Sequence, residues 1–129
     1  MNSFRAAIVS LSLLVAMLAE GAVNREPFSE TRFTTLQGGN ALVLVDVWAR
    51  WCPTCAAQKK VLERYAAEHP DSGLHILVVD FDEQKKWVRH FRAPRQSTLL
   101  LYRGEQQLWF SVAETDAETI FQTLNRAAR

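Results

Sequence analysis

Apolar residues in this chain occur in two patterns, continuous runs typical of buried strands and spaced positions typical of helices. Residues 41–47 (Ala-Leu-Val-Leu-Val-Asp-Val) and 74–79 (Leu-His-Ile-Leu-Val-Val) are continuous runs rich in β-branched residues, which predict strands buried on both faces. Residues 53–68 predict a helix that ends at 69–73 (His-Pro-Asp-Ser-Gly); its apolar positions recur at helical spacing and are Val61, Leu62, Tyr65 and Ala66.

Two shorter helices are predicted on weaker patterns. Residues 28–36 carry three spaced apolar side chains ahead of a Gly-Gly-Asn break. A helix over 82–91 would be capped by Asp82, and its apolar face would consist of Trp87, Val88 and Phe91. Each helix would follow or precede one of the buried strands, as in an α/β domain.

The last third of the chain predicts a hairpin and a terminal helix. Residues 98–102 and 108–112 flank Gly104 and have the composition of paired strands. Thr115 and Glu118 have the spacing of a capping box, which would open a helix with three inward side chains, Ile120, Phe121 and Leu124. The resulting order, α-β-α-β-α-β-β-α, predicts an α/β fold with a mixed central sheet flanked by helices on both faces.

The N-terminus has the pattern of a signal peptide. Arg5 precedes an apolar run over residues 6–19, which is long enough for a signal-peptide core and too short to span a bilayer. Small residues at 19 and 21 predict cleavage after Gly21, with Ala22 as a second candidate; an uncleaved membrane anchor is the alternative. We therefore expect residues 1–21 to be a signal peptide and 22–129 to form one exported domain.

Composition excludes several classes of protein. The chain has 129 residues, 48% of them hydrophobic and 22% charged, as in an ordinary globular domain rather than a disordered one. A net charge of +1 argues against a dedicated nucleic-acid binder. Two cysteines exclude a disulfide-scaffold mini-protein and a four-cysteine zinc site.

The candidate chemistry lies in one Cys-x-x-Cys motif. Cys52 and Cys55 follow a predicted strand and begin a predicted helix, where free backbone N–H groups favour a thiolate. Pro53 suits the first helical position. Cys52, as the more exposed cysteine, would be the nucleophile, and Cys55, one turn on, would resolve the mixed disulfide. A metal site and a purely structural disulfide are the alternatives.

Two segments resemble the thioredoxin family. Residues 45–55 (Val-Asp-Val-Trp-Ala-Arg-Trp-Cys-Pro-Thr-Cys) are similar to the family's Val-Asp-Phe-Trp-Ala-x-Trp-Cys-x-x-Cys segment, and 98–105 resemble its later strand and hairpin. The similarity in element order extends over roughly 28–126. The resemblance implies a thioredoxin-like fold and thiol–disulfide exchange with no organic cofactor.

The resemblance also assigns roles around the motif. Asp46 matches the family's buried acid, which takes and returns the proton of the resolving cysteine, and burial independently raises a carboxyl pKa toward a useful range. The lysine that often accompanies this acid is missing, with Val78 in its place. Trp51 would shield the site and Trp48 would pack beneath it. The remaining flanking residues are Pro53, Thr54, Ser97 and Thr98.

Ser97 departs from the family pattern. It occupies the position of the family's cis-proline, and a cis bond before a non-proline residue is costly, so a trans Gln96–Ser97 bond is expected. Pro94 would serve only if the loop were longer than usual. The change weakens the expectation of substrate docking at this loop and predicts open space beside the sulfurs, which favours the metal alternative.

Charged and histidine side chains elsewhere in the sequence indicate function less strongly than the cysteine motif does. Arg50 and Lys59 would lower the pKa of Cys52 if close, although solvated surface positions are the simpler interpretation. A basic stretch is either a solvated helix face or a surface that attracts an acidic partner; it comprises Lys85, Lys86, Arg89, His90, Arg92 and Arg95. His69 and His75 are scattered and are not expected to bind metal.

Together these features predict an exported thiol–disulfide oxidoreductase of a bacterial envelope. We expect a monomer that acts on protein thiols or disulfides, is recycled by a redox partner, and contacts a membrane only through an uncleaved signal segment. Two alternatives stay open: a protein that binds or delivers Cu(I) through Cys52 and Cys55, and a non-catalytic thioredoxin-like binding module.

Overall fold

The computed structural model describes residues 23–129, so the expected signal peptide over 1–21 lies outside the described part. The elements in chain order are β1 (Asn24–Pro27), α1 (Glu30–Gly38), β2 (Leu42–Trp48), α2 (Pro53–Glu68), β3 (Leu74–Asp80), α3 (Lys85–His90), β4 (Thr98–Arg103), β5 (Gln106–Val112) and α4 (Ala117–Ala127). No helix within residues 23–129 combines the length and the apolar character needed to cross a membrane.

The five strands form one mixed sheet in the order β1-β3-β2-β4-β5. β2 pairs in parallel with β3 and antiparallel with β4, so it lies at the centre, and all but its last residue are buried. β4 and β5 form the predicted hairpin around Gly104. The mixed sheet predicted from the sequence is therefore confirmed, and its central strand leads directly into the cysteine motif.

Helices cover both faces of the sheet. On one face, an aromatic cluster is formed by Phe28 before α1, Phe33 within α1 and Phe91 at the end of α3, with ring centroids 5.5 Å apart in each pair. On the other face, α2 and α4 bury four side chains against the strands, Leu62, Tyr65, Ile120 and Leu124. Two residues predicted to face inward, Trp87 and Phe121, are only partly buried at the edges of these clusters.

Three predicted helix starts are wrong by one to three residues. α1 begins at Glu30 rather than at residue 28, because the Ser29 hydroxyl caps it by accepting the backbone N–H of Arg32. α3 begins at Lys85 after Gln84, and Asp82 does not cap it, because the preceding turn is closed by the Asp80 carboxylate, which accepts the backbone N–H groups of Asp82 and Glu83. In α4 the cap is Asp116 rather than Thr115. Its carboxylate accepts both the N–H and the hydroxyl of Thr119 at 2.8 Å, a better acceptor than the predicted threonine.

β1 is an additional strand that the sequence pattern does not predict. It is four residues long, mostly polar, and pairs in parallel with β3 at the edge of the sheet. A short, half-exposed edge strand has no apolar run to mark it. Its importance for the site is that the side chain of Arg25 reaches from this edge strand past β3 to Asp46 in the central strand.

Candidate active site

Cys52 and Cys55 form a disulfide at the N-terminus of α2, with their Cα atoms 5.2 Å apart. Cys52 is the cap residue of the helix, and its Sγ accepts the backbone N–H of Cys55 at 3.1 Å. Pro53 occupies the start of the helix as predicted. Cys52 is 3% exposed and Cys55 is 1% exposed. Cys52 is thus the more exposed cysteine, as expected, but the difference between the two is small. In the reduced state, the N–H bond and the helix dipole favour a thiolate on Cys52.

Ser97 contacts both sulfur atoms of the disulfide. Its side chain is buried, and its Oγ lies 3.1 Å from the Sγ of Cys52 and 3.1 Å from that of Cys55. The hydroxyl therefore fills the position beside the sulfurs where the sequence predicted open space. Residues 23–129 contain no cis peptide bond, in agreement with the expected trans Gln96–Ser97 bond. Pro94 is exposed and does not take the place of Ser97.

Asp46 is buried in the middle of β2 and pairs with Arg25 of β1. The Arg25 Nη1 atom lies 2.5 Å from Asp46 Oδ2, whereas Oδ1 has no hydrogen-bond partner in the described part of the chain. Val78 stands opposite Asp46 in the neighbouring strand, so the expected absence of a lysine there holds and an arginine from a different strand supplies the cation. Burial raises the pKa of Asp46 above its ordinary value, and the charge and hydrogen bond of Arg25 act to lower it.

The residues that flank the disulfide differ in their exposure and in their hydrogen bonds. Trp51 is 56% exposed and donates its indole N–H to Asp82 Oδ2 at 2.8 Å. Trp48 is partly buried and packs against the small cluster formed by Ala49, Cys52 and Cys55. Thr98 is buried, and its hydroxyl donates to the backbone oxygen of Arg95 at 2.7 Å. Of the remaining two positions within α2, Thr54 is half-buried and Pro53 is exposed.

The charged residues singled out in the sequence lie on the surface. Arg50 is exposed, and Lys59 forms an ion pair with Glu63 one turn along α2. Every member of the basic stretch is also exposed, and none forms an ion pair within residues 23–129; these are Lys85, Lys86, Arg89, His90, Arg92 and Arg95. In the same part of the chain, His, Cys, Asp and Glu form no group of three or more that could hold a metal ion.

Sequence reasoning missed two residues of the site, Arg25 and Gln58. Gln58 is fully buried and donates its side-chain amide to the backbone oxygens of Ser97 and Glu114. A signal for Gln58 existed, because it shares the buried face of α2 with Cys55 and Leu62, where a polar side chain requires a partner. Arg25 offered no such signal, since its strand was not predicted.

A disulfide at the start of a helix, directly after the central strand of a helix-covered mixed sheet, defines a thiol–disulfide oxidoreductase with the thioredoxin fold. The thioredoxin family model matches residues 24–126. The chain belongs to the thioredoxin family.

Individual relatives agree with this assignment. Thioredoxin from Chlamydia trachomatis is 30% identical over 87 residues, which cover 67% of this chain and 83% of that protein. The bifunctional thioredoxin reductase/thioredoxin of Mycobacterium leprae is 34% identical over 74 residues, 57% of this chain and only 16% of that protein. Among solved structures, Trxlp from Edwardsiella tarda is 40% identical with a TM-score of 0.73, covering 77% of this chain and 96% of that one.

Proposed function

We propose that this protein is exported to the cell envelope and there exchanges electrons with protein thiols and disulfides through Cys52 and Cys55. The observation that carries the exchange chemistry is the disulfide at the N-terminus of α2, bonded between the only two cysteines of the chain. Because the sequence has no third cysteine, thiol–disulfide exchange within it is confined to this pair.

In the reducing direction, the reaction transfers two electrons from the protein to the substrate. The Cys52 thiolate attacks one sulfur of a substrate disulfide, forms a mixed disulfide and releases the other substrate sulfur as a thiolate. Cys55, once deprotonated, attacks the Sγ of Cys52, and the second substrate thiolate leaves. The Cys52–Cys55 disulfide forms as the substrate disulfide is reduced, and the oxidising direction is the same sequence reversed.

Asp46 is proposed as the group that accepts the proton of Cys55. It is buried in the strand that runs into the cysteine motif, and one of its carboxylate oxygens has no hydrogen-bond partner among the residues that the structure describes. Burial raises the pKa of Asp46, which makes the carboxylate a stronger base than an exposed aspartate. The charge and hydrogen bond of Arg25 lower the pKa of Asp46 and so limit this rise. They thereby preserve the ionised carboxylate, which is the form that can accept a proton.

The exchange is tested by trapping the mixed disulfide. Reduced Cys55→Ala protein is mixed with a protein that contains an accessible disulfide, and the covalent adduct is sought by non-reducing electrophoresis and intact mass. We expect the adduct with Cys55→Ala and none with the matched Cys52→Ala variant. An adduct of equal yield with both variants, or with neither, would contradict the assignment of Cys52 as the nucleophile.

Export is tested separately on the full chain. Expressed in a bacterium, the protein is expected in the periplasmic fraction with Ala22 as its first residue, because the residues before it have the pattern of a signal peptide. The N-terminal sequence and intact mass give the cleavage point. Full-length protein retained in the cytoplasm would refute export without affecting the exchange chemistry.

A further inference from the structure

Ser97 has an unusual backbone conformation for a buried side chain. Its φ is +66°, a region that residues with a Cβ atom rarely adopt. Three other non-glycine residues in positions 23–129 have a positive φ, but none of them is buried. Such a conformation persists only when the surrounding structure holds it, and it is found most often at functional sites.

Three hydrogen bonds hold the Ser97 backbone in place. Its N–H donates to the Val47 oxygen at 2.8 Å, and its own oxygen accepts the N–H of Ala113 at 2.9 Å and the side-chain amide of Gln58 at 3.1 Å. Both backbone polar groups of Ser97 are thereby used inside the protein. Ser97 is consequently not available to dock a substrate backbone, and its contribution to the site must come from the side chain.

The side chain is directed at the two reacting atoms. Ser97 Oγ makes hydrogen-bond contacts with the Sγ of Cys52 and the Sγ of Cys55, each at 3.1 Å, and has no other partner among residues 23–129. A hydroxyl has one proton to donate. Neutral sulfur is a weak acceptor, whereas a thiolate is a charged one, and hydrogen bonds to charged groups are roughly twice as strong as neutral ones.

We propose that Ser97 is a catalytic residue that donates its hydroxyl hydrogen bond to whichever sulfur carries the negative charge. In the reduced protein that sulfur is the Cys52 thiolate. When a substrate thiolate attacks Cys52 of the disulfide, the Cys52–Cys55 bond breaks and the hydroxyl turns to the departing Cys55 thiolate. The proton stays on Ser97 Oγ throughout, and the electron pair passes only between sulfur atoms.

This inference rests on the proposed exchange chemistry. It adds one hydrogen bond that stabilises the thiolate of Cys52 in the reduced protein and the thiolate of Cys55 when the disulfide opens. The hydroxyl is buried against both sulfurs, so it needs no rearrangement of the backbone to change partner. Only a rotation about the Cβ–Oγ bond is required. This is electrostatic preorganisation of the kind that favours charge developing in a transition state.

Two substitutions separate the hydroxyl from the backbone strain. Ser97→Gly removes the hydroxyl and suits a positive φ, whereas Ser97→Ala removes the hydroxyl and retains the strain. The matched control is Ser111→Ala, which deletes the hydroxyl of Ser111 in β5, whose Oγ is buried and has no hydrogen-bond partner. Circular dichroism of each oxidised variant establishes that it is folded.

The readouts are the pH titration of thiolate absorbance in the reduced protein and the rate of disulfide reduction by dithiothreitol. Both Ser97 variants are expected to raise the pKa of the Cys52 thiol by about 1, to slow reduction about tenfold and to make the reduction potential more negative. A tenfold shift in the equilibrium with glutathione corresponds to about 30 mV. The control variant is expected to match the unmodified protein.

The outcomes separate the possible explanations. A Gly variant that titrates and reacts like the unmodified protein would overturn the proposal, and so would an effect seen in the Ala variant alone, since strain would then be its cause. If the unmodified protein forms no reversible disulfide, the proposed function fails and the role of Ser97 fails with it. If the unmodified protein exchanges disulfides and the Gly variant is unchanged, only the role of Ser97 is refuted.

Discussion

Replacing Arg25 by methionine tests whether the ion pair with Asp46 is a working part of the site. Asp46 is 1% exposed, and Arg25 is its only hydrogen-bond partner within residues 23–129. Removing one member of a buried pair leaves an uncompensated charge, which costs about 3–5 kcal/mol. We expect Arg25→Met to lower the free energy of unfolding by that amount at pH values where Asp46 is ionised.

The free energy of unfolding lost in Arg25→Met should depend on pH, in a direction set by the pKa of Asp46. Burial raises this pKa in the folded protein above the ordinary value of 3.8, so the stabilisation from binding a proton is complete at low pH and is lost as pH rises through the folded pKa. Arg25→Met removes the positive charge and the hydrogen bond that lower the pKa of Asp46, so this pKa rises further. The variant should therefore be closest to the unmodified protein at a pH near the ordinary carboxyl value of 3.8 and least stable relative to it at a pH well above the folded pKa of Asp46.

Urea unfolding of the oxidised proteins at both pH values measures this difference. The matched control is Arg64→Met, which removes an exposed cation that pairs with Glu68 at 3.9 Å and lies 4.7 Å from the centroid of the Phe121 ring. Its cost should be at most about 1 kcal/mol and the same at both pH values. In a second control, adding Arg25→Met to a protein that already carries Asp46→Leu should cost the same free energy of unfolding at both pH values, because no carboxylate is left at position 46 to titrate. A penalty for Arg25→Met below about 1 kcal/mol at the higher pH, or the same penalty at both, would refute the reasoning.

Two further predictions concern the packing that supports the site. Gln58→Leu should lower the free energy of unfolding by about 1–3 kcal/mol, measured by urea denaturation, because two backbone oxygens lose their amide donor in the interior; an unchanged midpoint would contradict this. Gly104→Ala should lower the thermal midpoint, since φ is +55° and the added Cβ would lie 2.7 Å from Asn40 Oδ1. The control Gly38→Ala meets no atom within 4 Å and should not lower it; equal losses in both would show that the close contact is not the cause.

Strong local patterns are what made the main elements predictable. β2 and β3 are continuous apolar runs because both faces of the sheet are covered by helices, and α2 was predicted with its observed bounds. The motif at its N-terminus could be read because both cysteines of the chain lie in it. The helix starts of α3 and α4 were less predictable, since several neighbouring side chains compete to cap them.

The contacts around the disulfide could not be predicted because they join residues distant in sequence. Arg25 reaches Asp46 only through an edge strand with no apolar pattern. Ser97 was recognised as a departure from the family, but a proline replaced by serine does not reveal that the loop adopts a positive φ and aims the hydroxyl at both sulfurs. That geometry depends on hydrogen bonds from three other parts of the chain.

The most direct test of the central claim is the redox equilibrium of the Cys52–Cys55 pair. Residues 22–129 are equilibrated in glutathione buffers of graded ratio, the thiols are trapped by alkylation, and the oxidised fraction is counted by mass. We expect one reversible two-electron transition with a potential between about −120 and −270 mV, the range of known exchange proteins of this kind. A pair that stays fully reduced or fully oxidised across all ratios would contradict the assignment of a thiol–disulfide oxidoreductase.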